Sequence, residues 1–549
     1  MFAQIVFRLE TVLRSASNQR LFAAGIKPLI LAGTLLTLPA HAEKAWVSPV
    51  SGFWSDGTNW SGGTPPDDTA FIQITNAGTK TITIDAATPA TNLTVQMLTI
   101  NALPGATNTL LLNNAGTNNP LIIQTGLMMK DGAALLVTNS ALVFQLTNFH
   151  VDLDGQLTLD GGSVDFGDTT VTARVGRVTS GTFNINSGQV SAGTVTVGGL
   201  TNSSGSLNQN GGLLNVSSLL SVGRNPQTTG TMSVLGGQLV APYEGARVGD
   251  SGIGWLTVSN ATVLLTNVDV GHGPLAVGTL ILQNNGLIQA AGDVSIARLS
   301  GSTGTVFVLG GELQAVGQTI HVGEDGNGTM IQSNGAISAK NLLVAADNTN
   351  AATGSLTMAG GTLVLSSTLA AGSALGSTGQ VIMSGGSLTV SNLALTNATG
   401  QFVFRGGTLA SAGTVVANGS PFVVGDGVTP ALFYMNGGTH SFADGLVISS
   451  NATLAGCGAI VGTVVNHGTI LSCGTAVPTR IAGLARTGTT NSISFATLAG
   501  QTYTLEFKNA LTNAAWVPLA PATNGNGSLM AIQDPSATNT TGFYRVQVQ

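Results

Sequence analysis

Residues 304–327 read GTVFVLGGELQAVGQTIHVGEDGN, and the chain repeats this stretch along most of its length. Related units begin at Gly155 (GQLTLDGGSV), Gly181 (GTFNINSGQV), Gly205 (GSLNQNGGLL), Gly230 (GTMSVLGGQL) and Gly254 (GWLTVSNATV). Others begin at Gly278 (GTLILQNNGL), Gly328 (GTMIQSNGAI), Gly354 (GSLTMAGGTL), Gly379 (GQVIMSGGSL), Gly400 (GQFVFRGGTL) and Ala431 (ALFYMNGGTH). The starts lie 21 to 31 residues apart, mostly 24 to 26. The second and fourth residues after each start are apolar, with Gln209 and Gln332 as exceptions. Such alternation marks strands with one buried face. The Gly-Gly, Asn-Gly or Ser-Gly pair that follows marks a sharp bend where positive φ is cheap. Each unit therefore holds about three short strands, and a unit this small must stack on its neighbours to bury its apolar face. The fold class this predicts is all-β, a parallel β-helix (β-solenoid) of about 24–25 residues per coil. Twelve coils at ~4.8 Å give a rod of roughly 55–60 Å. Propellers and sandwiches need antiparallel strands about twice as long per repeat.

Composition agrees. Glycine is 75 of 549 residues, hydrophobic residues are 43% and charged residues only 8%. That is too apolar for a disordered chain and too poor in Lys, Glu and Gln for a helical one. Residues 91–154 keep the strand-bend rhythm less regularly and residues 453–474 close the stack, so the β-helix is expected over 91–478.

The first 42 residues have another texture. Arg8, Arg14, Arg20 and Lys27 precede the apolar run PLILAGTLLTL and then Ala40-His41-Ala42, the layout of a cleaved export signal. The run is shorter than the ~20 residues that span a bilayer, so no transmembrane segment is expected after cleavage. Four of the 18 basic and one of the 24 acidic residues fall in this leader, which leaves a net charge of −9. Such a surface repels nucleic acid and anionic membrane.

Both ends of an open solenoid need cover. Residues 43–90 hold Trp46, Trp54 and Trp60 beside Pro65-Pro66 and are expected to form an aromatic plug, with stacking on sugars as the alternative. Residues 479–549 contain Tyr503, Tyr544 and Trp516, with strands expected at 491–497, 502–508, 528–533 and 543–549. The pattern Y-x-L-E-F…W-x-x-L…D-P…F-Y-R-V resembles small terminal β-sandwich modules of secreted proteins, which implies a C-terminal β-sandwich that serves as a cap, a surface-attachment or sorting element, or a sugar-binding module. The segment GFWSDGTNWSGGTPP, the repeated coils and the closing ATLAGCGAIVGTVVNHGTILSCG together resemble bacterial proteins with autotransporter-associated β-strand repeats. The resemblance covers about residues 45–475 and implies an exported β-helix of the passenger type. Autotransporters end in a membrane barrel of several hundred residues, a length that the C-terminal segment lacks, so self-translocation is not implied.

Candidate sites are few. Cys457 and Cys473, in matching GCG and SCG contexts, are expected to form a disulfide or two separate buried thiols. Two thiols without a paired histidine make a poor zinc set. The run 150–168 offers His150, Asp152, Asp154, Asp160, Asp165 and Asp168, read as solvated outer-face residues, with calcium binding or glycoside hydrolysis as alternatives. A Val-Gly pair ends the third strand of successive coils, and the residue after it forms a column: Arg177, Gly199, Arg224, Asp250, His272, Arg298, Glu324. Alternating charge suggests an exposed ion-pair ladder along the rod. The sharper alternative is a polar groove in which Asp250 and Glu324 act as acid and base while Arg224 and Arg298 bind acidic sugars. Three coils, roughly 14 Å, separate the two acids, too far for a hydrolytic pair. No phosphate-binding, dinucleotide, H-E-x-x-H or G-x-S-x-G motif occurs. The expectation is a non-catalytic, exported structural or adhesive protein that needs no cofactor or metal and meets surface glycans. The alternative is a polysaccharide-binding or polysaccharide-degrading β-helix protein.

Overall fold

The computed structural model describes residues 43–146, 150–346, 352–372, 376–471, 473, 477, 479–498, 501–526, 529–535 and 542–548. The export leader expected over 1–42 lies outside them. The chain is 62% strand and 1% helix, wound into a parallel β-solenoid of about 17 turns with roughly 24 residues per coil. Forty strands from Glu43 to Ile470 join in one continuous sheet.

One coil shows the design. A first strand Ser204–Gln209, a second Leu213–Val216 and a third Leu219–Val222 turn the chain once around the core. They lie parallel under Thr229–Val234, Gln238–Ala241 and Gly245–Val248 of the next coil. The repeat alignment is the observed register. Gly181 pairs with Gly205, Gly205 with Gly230, and the same column continues through Gly254, Gly278, Gly304, Gly328, Gly354 and Gly379 to Gly400. Sterics fix both glycine columns. A Cβ on Gly230 would lie 2.3 Å from the Val197 carbonyl oxygen and 2.4 Å from the Gly223 nitrogen. Gly223, which ends the third strand beside it, has φ +69 and needs the left-handed region.

Alternate residues point inward to one core that runs from Trp46 to Leu454. The two exceptions are explained by local bonding. Gln209 and Gln332 are fully buried, and each amide donates to two backbone carbonyls, Gly212 and Gln238 for the first, Gly335 and Thr362 for the second.

Two sequence assignments change. The cap over 43–90 is itself coiled: Glu43–Ala45 pairs with Phe71–Gln73, which pairs with Met97–Thr99, so the parallel ladder starts at residue 43 and not at 91. Its three tryptophans are buried in edge-to-face contact at the end of the core, as a plug requires. The indole N–H of Trp60 donates to the Trp54 carbonyl, and that of Trp54 to the Asn92 carbonyl, both at 2.7 Å. The strand from Ala431 stands one face further on than its sequence suggests. It pairs with Gly407–Ser411 in the second-strand column, while Phe422–Val424 follows Phe404 in the first. An x-φ-x-φ-x-G-G pattern suits either face of a coil whose bends are irregular.

The last solenoid strand is Thr469–Ile470 and the next strand is Ile481–Thr487. Beyond the solenoid two antiparallel sheets form a small sandwich. One joins Ile481–Thr487, Thr490–Ala496 and Leu529–Asp534; the other sets Thr502–Lys508 against Phe543–Val548, Val517–Pro518 and Thr523–Asn524. Ile493, Phe495, Tyr503 and Leu505 fill its core. Val477 and Leu498 pack with Ala410, Tyr434 and Ala455, which lie on the outer side of the second-strand column. The module is thus seated on the flank of the last coils.

Candidate functional site: an ionic seam on the third face

The middle residue of each third strand points outward, and the register stacks these residues into a column. Asp152, Arg174, Thr196, Ser221, Arg247, Asp269, Ser295 and His321 are successive cross-strand partners. The Val-Gly turn follows immediately, and after it comes the column anticipated from the sequence. Backbone hydrogen bonds confirm that second stack. The amides of Arg224, Asp250, His272 and Arg298 donate to the carbonyls of Gly198, Gly223, Gly249 and Gly271 at 3.1, 3.1, 2.8 and 2.9 Å. These bonds stack Arg224, Asp250, His272 and Arg298, whereas the Glu324 amide donates to the Ile296 carbonyl at 3.3 Å.

The pairing differs from the expected ladder. Among the described residues no ion pair joins successive members of that column; its side chains lie across the neighbouring third-strand column instead. Arg298 Nη1 meets both carboxylate oxygens of Asp269 at 3.1 and 3.0 Å, and His272 Nδ1 meets Oδ2 at 2.8 Å. Asp250 accepts from the Ser221 hydroxyl at 2.8 Å and faces Arg247 at 3.9 Å. Arg247 also reaches Glu244 at 3.2 Å, and Arg224 donates to the Thr196 hydroxyl at 3.2 Å. Glu324 Oε2 is buried without a hydrogen-bond partner. The physical reason is burial. Thr196, Ser221, Asp250, Asp269 and Ser295 are all shielded from solvent, and buried polar groups take the nearest available partner. Asp250, expected at an exposed position, is 8% exposed.

At the N-terminal end of the seam Asp152 accepts from Arg174 Nε at 2.7 Å and Arg177 Nη1 at 3.1 Å. Burial, and then the Arg174 charge, push the nearby His150 below the usual histidine range. The other acids of the 150–168 run serve turns. Asp154 accepts from the amides of Val178 and Thr179, Asp165 from the amide of Gly167 and the Ser191 hydroxyl, and Asp168 from the amide and hydroxyl of Thr170. The Thr170 bonds hold the Asp168 carboxyl below its usual range. Asp160 makes a long contact of 3.5 Å to Ser187. Among the described residues no group of three or more His, Cys, Asp or Glu is arranged to hold a metal.

Sequence reasoning missed Asp269, Arg247 and the Asp152–Arg174 pair. The signal was present: the residue immediately before each Val-Gly is the outward one, and it reads Arg174, Thr196, Ser221, Arg247, Asp269 and, before the degenerate Ile-Ala and the next Val-Gly, Ser295 and His321.

Two clefts flank this architecture. One, of about 920 Å³, lies at the head of the seam and is lined by Lys130, Asp131, Asp152, Asp154 and Arg177 with Leu103 and Met128. Its three carboxylates are engaged, Asp131 by the Thr179 hydroxyl and the others as described. The other, of about 1110 Å³, runs along the first bends between Asn285 and Ala431 and is closed by Arg480, Ala482 and Gly483 of the module.

Cys457 and Cys473 form a disulfide across a Cα separation of 4.7 Å, tying the chain beyond the last strand to the coil beneath. The aromatic residues of the module are occupied. Lys508 and Arg545 approach the Trp516 ring at 5.1 and 4.6 Å, Tyr544 donates to Asp534, and the Tyr503 hydroxyl accepts from the Leu498 amide.

No helix among the described residues is long and apolar enough to cross a membrane. The fold and seam define a class, a disulfide-closed β-solenoid with charge gathered on one face. Comparison with family models, curated proteins and solved structures finds no match to this chain.

Proposed function

We propose that the chain is an exported, non-catalytic rod that acts at the surface of a bacterial cell or outside it, as a structural or adhesive component. The commitment of Asp152, Asp154 and Asp269 carries this reading. Each accepts two or more hydrogen bonds from arginine, histidine or backbone donors. Such groups organise a surface; a hydrolase needs two carboxyl groups free to exchange protons or attack across a bond. The disulfide fits an oxidising compartment, and the leader-like residues 1–42 and the resemblance to autotransporter-associated repeats point the same way. The test is fractionation of the producing cells together with incubation of the purified chain with a polysaccharide panel. The reading expects protein in the surface or medium fraction and no soluble sugar. Release of oligosaccharides would overturn it.

A polysaccharide-active protein is the second reading. The cleft at the head of the seam favours it, because five ionisable side chains converge there. If that cleft works on a glycan, Asp152→Asn abolishes sugar release.

A further inference from the structure

Charge is distributed around the rod with a strong bias. Five of the nine arginines after residue 42 stand on the third-face seam: Arg174, Arg177, Arg224, Arg247 and Arg298. The ten successive first strands from Ser180 to Phe404 contain no Asp, Glu, Lys or Arg at their outward positions. From Ser204 onward these strands pair without a single register shift. The first face is therefore a regular, uncharged lattice on a chain whose net charge is −9 after the leader.

Its two central columns differ in chemistry. Thr279, Thr305 and Thr329 are consecutive rungs of one, and Ile281, Phe307 and Ile331 are the same rungs of the next. At these three rungs hydroxyls and apolar groups alternate across the face at ~6.6 Å and repeat along it at ~4.8 Å, while Asn184, Asn208, Ser233, Thr257 and Thr357 make the second column polar elsewhere. Trp255 continues the threonine column one rung below and is 37% exposed. From these observations we propose that the first face binds the flat surface of a neutral, β-linked polysaccharide packed in ordered sheets.

The chemistry matches in three respects. A hexose ring in such a sheet offers an apolar C–H face and a rim of hydroxyls, which apolar and threonine columns complement together. Exposed tryptophan supplies an amphipathic stacking surface. A sheet face without register shifts presents a broad regular surface, which suits an extended array and gives a single chain little burial. Ten rungs of six-residue strands measure about 43 by 20 Å. The area, on the order of 850 Å², is what one partner contributes to a stable macromolecular interface. This inference rests on the reading of the chain as a non-catalytic adhesive rod and names what it adheres to.

The test is depletion of the full chain from solution by microcrystalline cellulose and by crystalline chitin, at low and high salt. Binding is expected to at least one and to persist in high salt, because no charge is used. The double variant T279K/T305K places ammonium groups on the first face and is expected to weaken binding at least ~10-fold. Trp255→Ala weakens it roughly 2- to 10-fold. Arg224→Gln, on the seam, leaves it unchanged. All three change outward side chains, and matching melting curves verify that the fold is intact. Absence of depletion by either particle, or equal depletion by the lysine variant, overturns the proposal. So does self-association or ice binding that the lysines abolish while no particle is bound, since the face then belongs to another occupant. Soluble sugar released by the wild-type chain would instead overturn the non-catalytic reading and leave binding by this face standing.

Discussion

Single residues carry unusual weight in this molecule, because each core position is repeated from coil to coil and a buried polar group must find its partners close by. Lys80 is 1% exposed, and its ammonium donates to the carbonyls of Asn76, Ala77 and Gly78 and to the Asn108 amide oxygen at 2.8 to 3.0 Å. Burial pushes its pKa below the usual lysine value. Lys80→Met strands those acceptors and is expected to cost about 3 kcal/mol, seen as a lower melting temperature and faster proteolysis of the N-terminal coils. His440 occupies an inward slot that Thr414 fills in the coil beneath and Leu393 and Leu369 fill further down. It is fully buried, with Nδ1 3.0 Å from the Thr414 hydroxyl and Nε2 3.0 Å from the Gly437 carbonyl. Burial lowers its pKa, so the unfolded chain takes up the proton first. Its stabilising neutral form is complete above the unfolded value near ~6.5 and is lost as pH falls below it. The melting temperature is expected to drop between pH 7.5 and 5, and to drop less in His440→Gln. An equal drop would assign the acid sensitivity to other groups.

At the scale of strands and turns, the glycine columns separate what was legible in the sequence from what was not. The first-strand glycines were readable because nothing else fits between adjacent coils, so the sequence carries them at almost every copy. Gly254→Ala would place a Cβ 2.1 Å from the Gly249 nitrogen and is expected to cost more than about 3 kcal/mol. Gly310→Ala, at a first bend with nothing nearer than 3.5 Å, is expected to fall within about 0.5 kcal/mol of wild type. Chemical denaturation of the two variants checks the contrast. The Ala431 strand was misplaced because alternation and a double glycine specify a strand and a bend and do not specify which of three faces they build. The seam was half legible. The column after Val-Gly was visible, but its partner column lies three residues upstream, and pairing between columns depends on side-chain reach that no one-dimensional pattern encodes. The Cys457–Cys473 bond closes a 16-residue separation, and its reduction is expected to destabilise the last coil by about 3 kcal/mol.

The whole molecule is a one-dimensional stack with unlike ends and unlike faces. Its N-terminal end is closed by tryptophans and by strands that continue the ladder. At its other end Val461, Val464, Val465 and Ile470 stay exposed while the sandwich sits on the flank. Stability in such a stack is a sum of coil and interface terms, so a damaged coil lowers local stability without erasing the rest. Architecture shapes the composition, whereas any site lies in how outward residues line up after stacking. That is why the fold was readable and the site was not.

We propose that Asp152 and Asp269 hold the rod together and do not perform chemistry. Thermal unfolding of Asp152→Asn tests it most directly. Asp152 is paired with both Arg174 and Arg177 and also lines the cleft at the head of the seam. Functional charges commonly oppose stability, so their removal leaves melting temperature unchanged or raises it. A structural partner of two arginines behaves the opposite way. The account predicts a lower melting temperature for Asp152→Asn, by about 1–3 kcal/mol in stability. An unchanged or raised melting temperature would contradict it.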